Sequence, residues 1–543
     1  MQAATLRWVK YLSVFLLGLC LGLVACRGAD EKTGQKAQSP GDDAQGAVAP
    51  PAAPTGRQLA RTHCGSCHKF PEPKLLGKRT WKRTVLPKMG HRLGIYEGKR
   101  PDSLFEEGIA GRIVKAAGIF PKAPQLPREQ WKKIVRYYRE QAPREAPSPP
   151  PHDSLTTGLE GFRLRAPSFR ADPPMTSLVK IGPQAARVYV GDAKADASTL
   201  TILNDQFTEE NTVVLPSPPV ALWVEGSDLF VTSMGQMPPT DTPSGRIMKL
   251  FLRPGETKYR SSVTLIDSLQ RPVDATYADL NQDGIDDVVV CEFGFRTGRL
   301  SWHEGTGQNR FEEHILRKAP GAVRAVVHDF NNDDRPDVMA LFGQGDEGVF
   351  LYYNQGNEHF REERVLRFPP SYGSTYFELA DFNGDGAMDI IYAGGDNADY
   401  RPVMKGYHGI RIFVNDGNNR FKEKYFYPLN GTYKTAIQDY DQDGDLDIAA
   451  ISFFPDYKRS RKESFVYLEN TGGLSFEAST FAESAMGRWI TLDSGDIDQD
   501  GDLDLILGAF AGLGMESSYV PDRLQKWWLK KGPSLVVLEN TTN

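Results

Sequence analysis

The chain has 543 residues, 40% of them hydrophobic and 25% charged, with a mean hydropathy of −0.44. That length excludes a single small domain, and the balance excludes both a multi-span membrane protein and a wholly disordered chain. Lys and Arg total 64 against 70 Asp and Glu, a net charge of −6, which argues against nucleic acid as a partner.

At the N-terminus, Arg7 and Lys10 precede an apolar stretch from Tyr11 to Ala25. This is a secretory signal pattern, too short for a membrane span. Its end, Leu23-Val24-Ala25-Cys26, resembles the lipobox of bacterial lipoproteins. The resemblance implies a signal peptide over 1–25, cleavage before Cys26 and acylation of that residue. Arg27 in place of Asp favours the outer membrane within that resemblance. Acyl chains would hold the protein at a bilayer by about 0.8 kcal/mol per buried methylene. Residues 26–55 are rich in Ala, Gly, Pro, Gln and Asp and read as a disordered tether. A Pro-rich break over 143–153 divides a first folded unit, 56–142, from a second, 154–543.

The first unit carries Cys64-Gly-Ser-Cys67-His68. In an exported chain, C-x-x-C-H reads as a c-type haem attachment site: two thiols meet two vinyl groups and the adjacent imidazole meets the iron. A thioredoxin-like pair would need a βαβ setting, and a zinc site a second Cys pair; neither is present. Gly56–His63 reads as a short helix with Leu59 and Ala60 on its apolar side. Leu126–Gln141 sets Trp131, Ile134 and Tyr138 at helical spacing. The whole resembles the class I c-type cytochromes, which implies an all-α domain holding one covalent haem c. Within that resemblance Met89, on the Pro-containing loop Val85–Gly90, takes the distal ligand position, with His91 as the alternative.

The second unit repeats one string five times. The side-chain positions are Asp279, Asn281, Asp283 and Asp287; Asp329, Asn331, Asp333 and Asp337; Asp381, Asn383, Asp385 and Asp389; Asp439, Asp441, Asp443 and Asp447; and Asp496, Asp498, Asp500 and Asp504. Ile285, Arg335, Ala387, Asp445 and Asp502 offer the backbone carbonyl of position seven. Gly at position six permits a sharp turn. Such an oxygen-only set suits a hard, flexibly coordinated cation, so about five calcium ions are expected. The second copy is the weakest, because Asp334 replaces the Gly and Pro336 intrudes. An EF-hand is excluded, since position twelve is Val290 or Ala450 rather than Glu and the following residues are strand-like.

Each loop is followed by two alternating segments around a turn with Phe four residues after Gly, as in Gly307/Phe311 and Gly356/Phe360. A repeat thus holds four strands. These repeats resemble the FG-GAP/VCBS blades of integrin-α-like propellers. Five clear blades follow residue 270 and 154–271 leaves room for two more, giving seven, with six or eight as alternatives. The last repeat lacks its fourth strand, and Gly161–Phe169 alternates as a strand of no repeat, so it is expected to close the ring.

The expected fold class is therefore multidomain: a small all-α cytochrome c domain followed by an all-β propeller. The expected function is electron transfer by a membrane-anchored, extracytoplasmic monohaem cytochrome, at the periplasmic or cell-surface face. A calcium-stabilised propeller then serves as scaffold or docking surface for a redox protein. The alternatives are an oxidoreductase feeding substrate electrons to the haem, and an adhesion propeller with an accessory haem. No catalytic motif is present. His152, His303, His314, His328, His359 and His408 are scattered and read as structural.

Overall fold

The structure is a computed structural model that describes residues 53–542, apart from 151–153, 183–186, 195–196, 397–402 and 513–519. The signal segment, Cys26 and the tether as far as residue 52 lie outside the described residues, as does His152. Among the described residues no helix is long and apolar enough to cross a membrane.

The first elements are helices. Helix α1 (Gly56–Cys64) opens on a capping box between Thr55 and Gln58 and buries Leu59 and Ala60. It crosses α5 (Arg128–Gln141), which buries Ile134 and Tyr138. The crossing is close: a Cβ on Gly56 would lie 2.4 Å from the Lys133 carbonyl oxygen, so only glycine fits. Between them runs α2 (Lys78–Thr80), a π turn (Trp81–Val85) and α3 (Leu86–Arg92), followed by α4 (Gly108–Ala116). Trp81 and Tyr138 anchor this core by donating to the Pro73 and Pro71 carbonyls, each at 2.8 Å. One expectation fails here. Met89 was placed on a loop because of Pro87, but it lies in α3. The wide π turn before Pro87 lets the proline ring into a helical run it would otherwise break.

From residue 162 onward the chain forms a seven-bladed propeller, as the repeat count predicts. Blades 1 to 7 cover 176–215, 219–269, 272–317, 322–367, 374–428, 432–480 and 489–540, each an antiparallel meander numbered here from its innermost strand outward. Second strands such as Asp287–Glu292 are buried throughout because neighbouring blades cover both faces, hence their continuous apolar runs. Outer strands such as Phe311–Arg317 are half-buried at most, at Phe311, His314, Leu316 and Arg317.

Around the central channel the innermost strands alternate in charge. Asp274, Glu378 and Asp493 stand on blades 3, 5 and 7, and Arg324, Lys434 and Lys180 on blades 4, 6 and 1. Each acid accepts a hydrogen bond from the next blade. Ala325 N–H reaches Asp274 at 3.2 Å, Thr435 Oγ1 reaches Glu378 at 2.9 Å, and Ile181 N–H reaches Asp493 at 2.8 Å. Burial pushes the Asp274 and Glu378 carboxyls up and the Arg324 guanidinium opposes it; burial pushes Lys434 down.

The ring closes as the sequence predicts, with a shorter strand. Phe162–Arg165 is the fourth strand of blade 7, antiparallel to Leu535–Asn540 with Phe162 opposite Asn540 and Arg165 opposite Val537. Phe162 packs edge-on against Tyr440 and Tyr467, at 5.8 and 5.6 Å. Two features were not predicted. Thr156–Thr157 pairs in parallel with the outer strand of blade 6, and α6 (Asp522–Lys531) is inserted between the second and third strands of blade 7. A chain beginning at Arg170 should aggregate or elute as higher oligomers in size-exclusion chromatography, while one beginning at Ser154 stays monomeric. Phe162→Ala in the full chain should cost about 2 kcal/mol in denaturant unfolding. Equal behaviour of the two truncated chains would contradict closure by this strand.

Candidate functional site

The thiols and imidazole of the first unit sit where α1 ends. Cys64 is its last residue and half-buried, Cys67 is exposed, and both are free thiols. Burial pushes the Cys64 thiol up to about 11, with Tyr138 beside it as an opposing partner, so it stays protonated at neutral pH. His68 Nδ1 lies 3.0 Å from the Lys69 carbonyl oxygen. A carbonyl can only accept, so Nδ1 carries the proton. Burial lowers the affinity of the ring for a second proton, which leaves Nε2 with its lone pair. This is the tautomer a metal-binding histidine needs, fixed by the kind of backbone contact that orients such ligands. Met89 is half-buried on α3, and the neighbouring His91 stacks against Tyr96 at 5.7 Å.

The five acidic loops join first to second strands in blades 3 to 7, so they lie at the same end of the propeller as the turns between third and fourth strands. Their geometry repeats. The first Asp accepts from the backbone N–H groups of positions five and six: Asp279 from Asp283 at 3.0 Å and Gly284 at 2.8 Å, Asp381 from Asp385 at 3.1 Å and Gly386 at 2.8 Å, and Asp439 from Asp443 at 3.1 Å and Gly444 at 3.0 Å. Position six has positive φ in every copy, and Asp334 adopts it at 62°. Position four also has positive φ, at Gln282, Asn332, Gly384, Gln442 and Gln499, a demand the sequence reading missed.

Position nine does more than complete a ligand set. Asp287, Asp337, Asp389, Asp447 and Asp504 are all buried. One oxygen accepts the N–H of position two, and the other the N–H of the last residue of the third strand. For Asp287 the donors are Leu280 at 2.9 Å and Gly305 at 2.8 Å; for Asp504 they are Ile497 at 3.0 Å and Asn540 at 2.8 Å. Burial pushes Asp447 up to about 6 and Asp504 up to about 7 against these hydrogen bonds. In blades 4 to 7 that strand-end residue is an Asn. Its Nδ2 donates back to the carbonyl of position eight, as Asn415 does to Met388 at 3.1 Å. Asn354, Asn415, Asn470 and Asn540 thus hold the loops in place, a role the sequence reading missed although an Asn recurs before the turn in these four blades.

The loops differ in what they can hold. In blade 6, Asp439, Asp441 and Asp447 bring carboxylate oxygens within 4.8 Å of one another, and in blade 7 Asp496, Asp498 and Asp500 do so. In blade 7 both Asp502 oxygens and Asp496 Oδ1 are buried without a hydrogen-bond partner, which fits a bound cation. Loop two is different. The Arg335 guanidinium pairs with Asp333 and donates from Nε to the Asn354 carbonyl at 2.8 Å, bringing a positive charge of its own to the loop. A group outside the acidic loops also gathers: His314 lies between Glu304 and Glu358, at 3.1 and 3.6 Å, stacked on Trp302.

The helical part docks on the opposite end of the propeller. Asp241 N–H donates to Glu106 Oε2 at 3.0 Å, Arg296 covers the Phe120 ring at 5.7 Å, Lys69 Nζ donates to the Arg367 carbonyl at 2.9 Å, and Gly406 N–H donates to the Pro147 carbonyl at 3.0 Å. These partners lie in connections between second and third strands or at the end of a fourth, in blades 2 to 5.

The family described as FG-GAP-like repeat matches residues 279–340, 329–392 and 439–507. These segments are FG-GAP repeats. No curated protein matches the chain. Among solved structures, a chain of an S. cerevisiae assembly of Dbp5 with Nup159 and Gle1 is similar at 10% identity, with 73% of this chain and 99% of that one covered and a TM-score of 0.41. The N-terminal domain of Nup159 is similar at 11% identity over 72% and 99%, with a TM-score of 0.40. Saccharomyces cerevisiae Sqt1 is similar at 8% identity over 72% and 100%, with a TM-score of 0.40.

Four of the five acids of loop five predict a sign change. Burial first, then Asp500, Asp498 and Asp496, push Asp502 up to about 6. Its folded-state value is raised, so its contribution to stability is present at low pH and lost as pH rises through about 6. With divalent ions chelated at pH 8, Asp502→Asn should therefore raise the melting temperature; a lowered one would show that these carboxylates do not repel.

Proposed function

We propose that this chain is a membrane-anchored, extracytoplasmic electron carrier in which a monohaem c-type cytochrome unit is fused to a calcium-stabilised propeller. The propeller of FG-GAP repeats is a scaffold or binding domain; its assignment as the docking surface for a redox protein belongs to this proposal. The observation that carries the reading is the Cys64-Cys67-His68 turn, with two free thiols and an imidazole fixed through Nδ1. Cys64 and Cys67 would hold the haem covalently and His68 Nε2 would ligate it, with Met89 as distal ligand and His91 as the alternative. A bound haem supplies a one-electron couple, and thioether ligation places its potential high. Cys26, through acylation, would tether the whole to the outer membrane.

For calcium, the orphaned Asp502 and Asp496 oxygens and the clustered carboxylates of blades 6 and 7 support binding. Loops one, three, four and five are assigned to calcium. Loop two is assigned to the Arg335 guanidinium, which replaces the fifth ion that the repeat count alone suggests.

Protein made in a host that matures c-type cytochromes should keep one haem per chain through acid–acetone extraction, and lose it on Cys64→Ala plus Cys67→Ala. Haem that extracts freely from the parent would refute the attachment. Met89→Ala should change the reduced spectrum and His91→Ala should not; the opposite pattern would make His91 the ligand. Chelation should lower the melting temperature of the propeller far more than that of the helical unit, and identical melts with and without chelator would remove the calcium assignment.

A further inference from the structure

The Cys-x-x-Cys-His turn does not face open solvent on every side. His68 Nδ1 donates to the Lys69 carbonyl at 3.0 Å, and Lys69 Nζ donates to the carbonyl of Arg367, 298 residues away, at 2.9 Å. Arg367 is the last residue of the outer strand of blade 4. Its Nε lies 2.6 Å from Asp346 Oδ1, while Arg364 Nη1 lies 2.7 Å from Asp346 Oδ2. One carboxylate, only 15% exposed, is thus clamped between two guanidinium groups that are 30% and 39% exposed. A docking contact alone would not need this. The Lys69 ammonium binds a backbone oxygen that any residue at position 367 would offer, yet the side chains around it form a fixed charge cluster with a net charge of +1 from Arg364, Asp346 and Arg367.

We propose that the Arg364–Asp346–Arg367 cluster of blade 4 is an electrostatic positioning element for the haem held at Cys64 and Cys67, so that the propeller sets the midpoint potential of the cytochrome unit. The inference rests on the haem reading given above. Loss of an electron adds one positive charge at the iron, so a nearby carboxylate favours the oxidised form and a guanidinium the reduced form. Because the cluster is half-sheltered, bulk salt screens it only in part. The three residues act through space on the redox centre and touch no reacting atom.

The test is a spectroelectrochemical titration of the full-length, haem-loaded protein alongside Asp346→Asn, Asp346→Glu, Arg364→Gln and Arg367→Gln, with a thermal melt of each. Asp346→Asn should shift the midpoint potential upward and each arginine substitution downward. Asp346→Glu, which keeps the charge, should restore the parent value. Opposite shifts from neighbouring residues are the signature, because loosening of the interface would move every variant the same way. Potentials that ignore all substitutions, or shifts of one sign only, in a haem-loaded protein overturn this inference alone. A parent chain that carries no haem overturns the reading of the motif and this inference with it.

Discussion

A carboxylate whose two oxygens are both committed to backbone N–H groups cannot move without unfastening two strands, and this chain places one in each of blades 3 to 7. Asp287, Asp337, Asp389, Asp447 and Asp504 join the second residue of their loop to the end of the third strand. Burying a charge is costly, and two backbone donors offset much of that cost. The consequence is geometric. With its ninth position pinned, the loop has little freedom left, and positive φ at positions four and six turns the first, third and fifth side chains inward. One buried side chain thereby ties the conformation of each loop to the end of the third strand.

The same latch divides the propeller into two working ends. Loop and hairpin turn are tied together at one end, which leaves the connections between second and third strands free to vary at the other. Those connections carry the irregular features: the α6 insertion in blade 7 and the contacts made by Glu106, Phe120 and Pro147. Repetition serves the ring, and departure from repetition serves the docked helices.

How much of this was legible follows from the range of each interaction. The repeats, the four-strand content and the closing strand around Phe162 are patterns of period and spacing, which a single sequence displays directly. The Cys64–His68 motif stands out in the sequence because it spans five consecutive residues. What could not be read depends on partners far apart in the chain. Arg335 looked like a mere carrier of a backbone carbonyl until its guanidinium was seen on Asp333 and on Asn354, nineteen residues on. Pro87 suggested a loop because the π turn that accommodates it leaves no composition signal. The alternation of Asp274, Arg324, Glu378, Lys434, Asp493 and Lys180 is spread over blades about fifty residues apart. It also needs an even number of members. A ring of seven is odd, and blade 2 resolves the conflict with an innermost strand that is apolar from Pro219 to Val224, its Trp223 stacked on Tyr277 at 5.8 Å.

Blade 4 shows how these constraints meet. Its strands of six to eight residues separate its acidic loop from the face where the helices dock, a span of roughly 20 Å at about 3.3 Å per residue. That is about two and a half Debye lengths at physiological salt, so a charge in this loop is weakly felt at His68. Influence across the blade must travel through its rigidity. Of the five loops, the one in blade 4 is that in which an internal cation, Arg335, pairs with the fifth-position carboxylate. Arg364, Asp346 and Arg367, beside the thiol-imidazole turn, therefore stand on a blade whose loop carries a cation of its own.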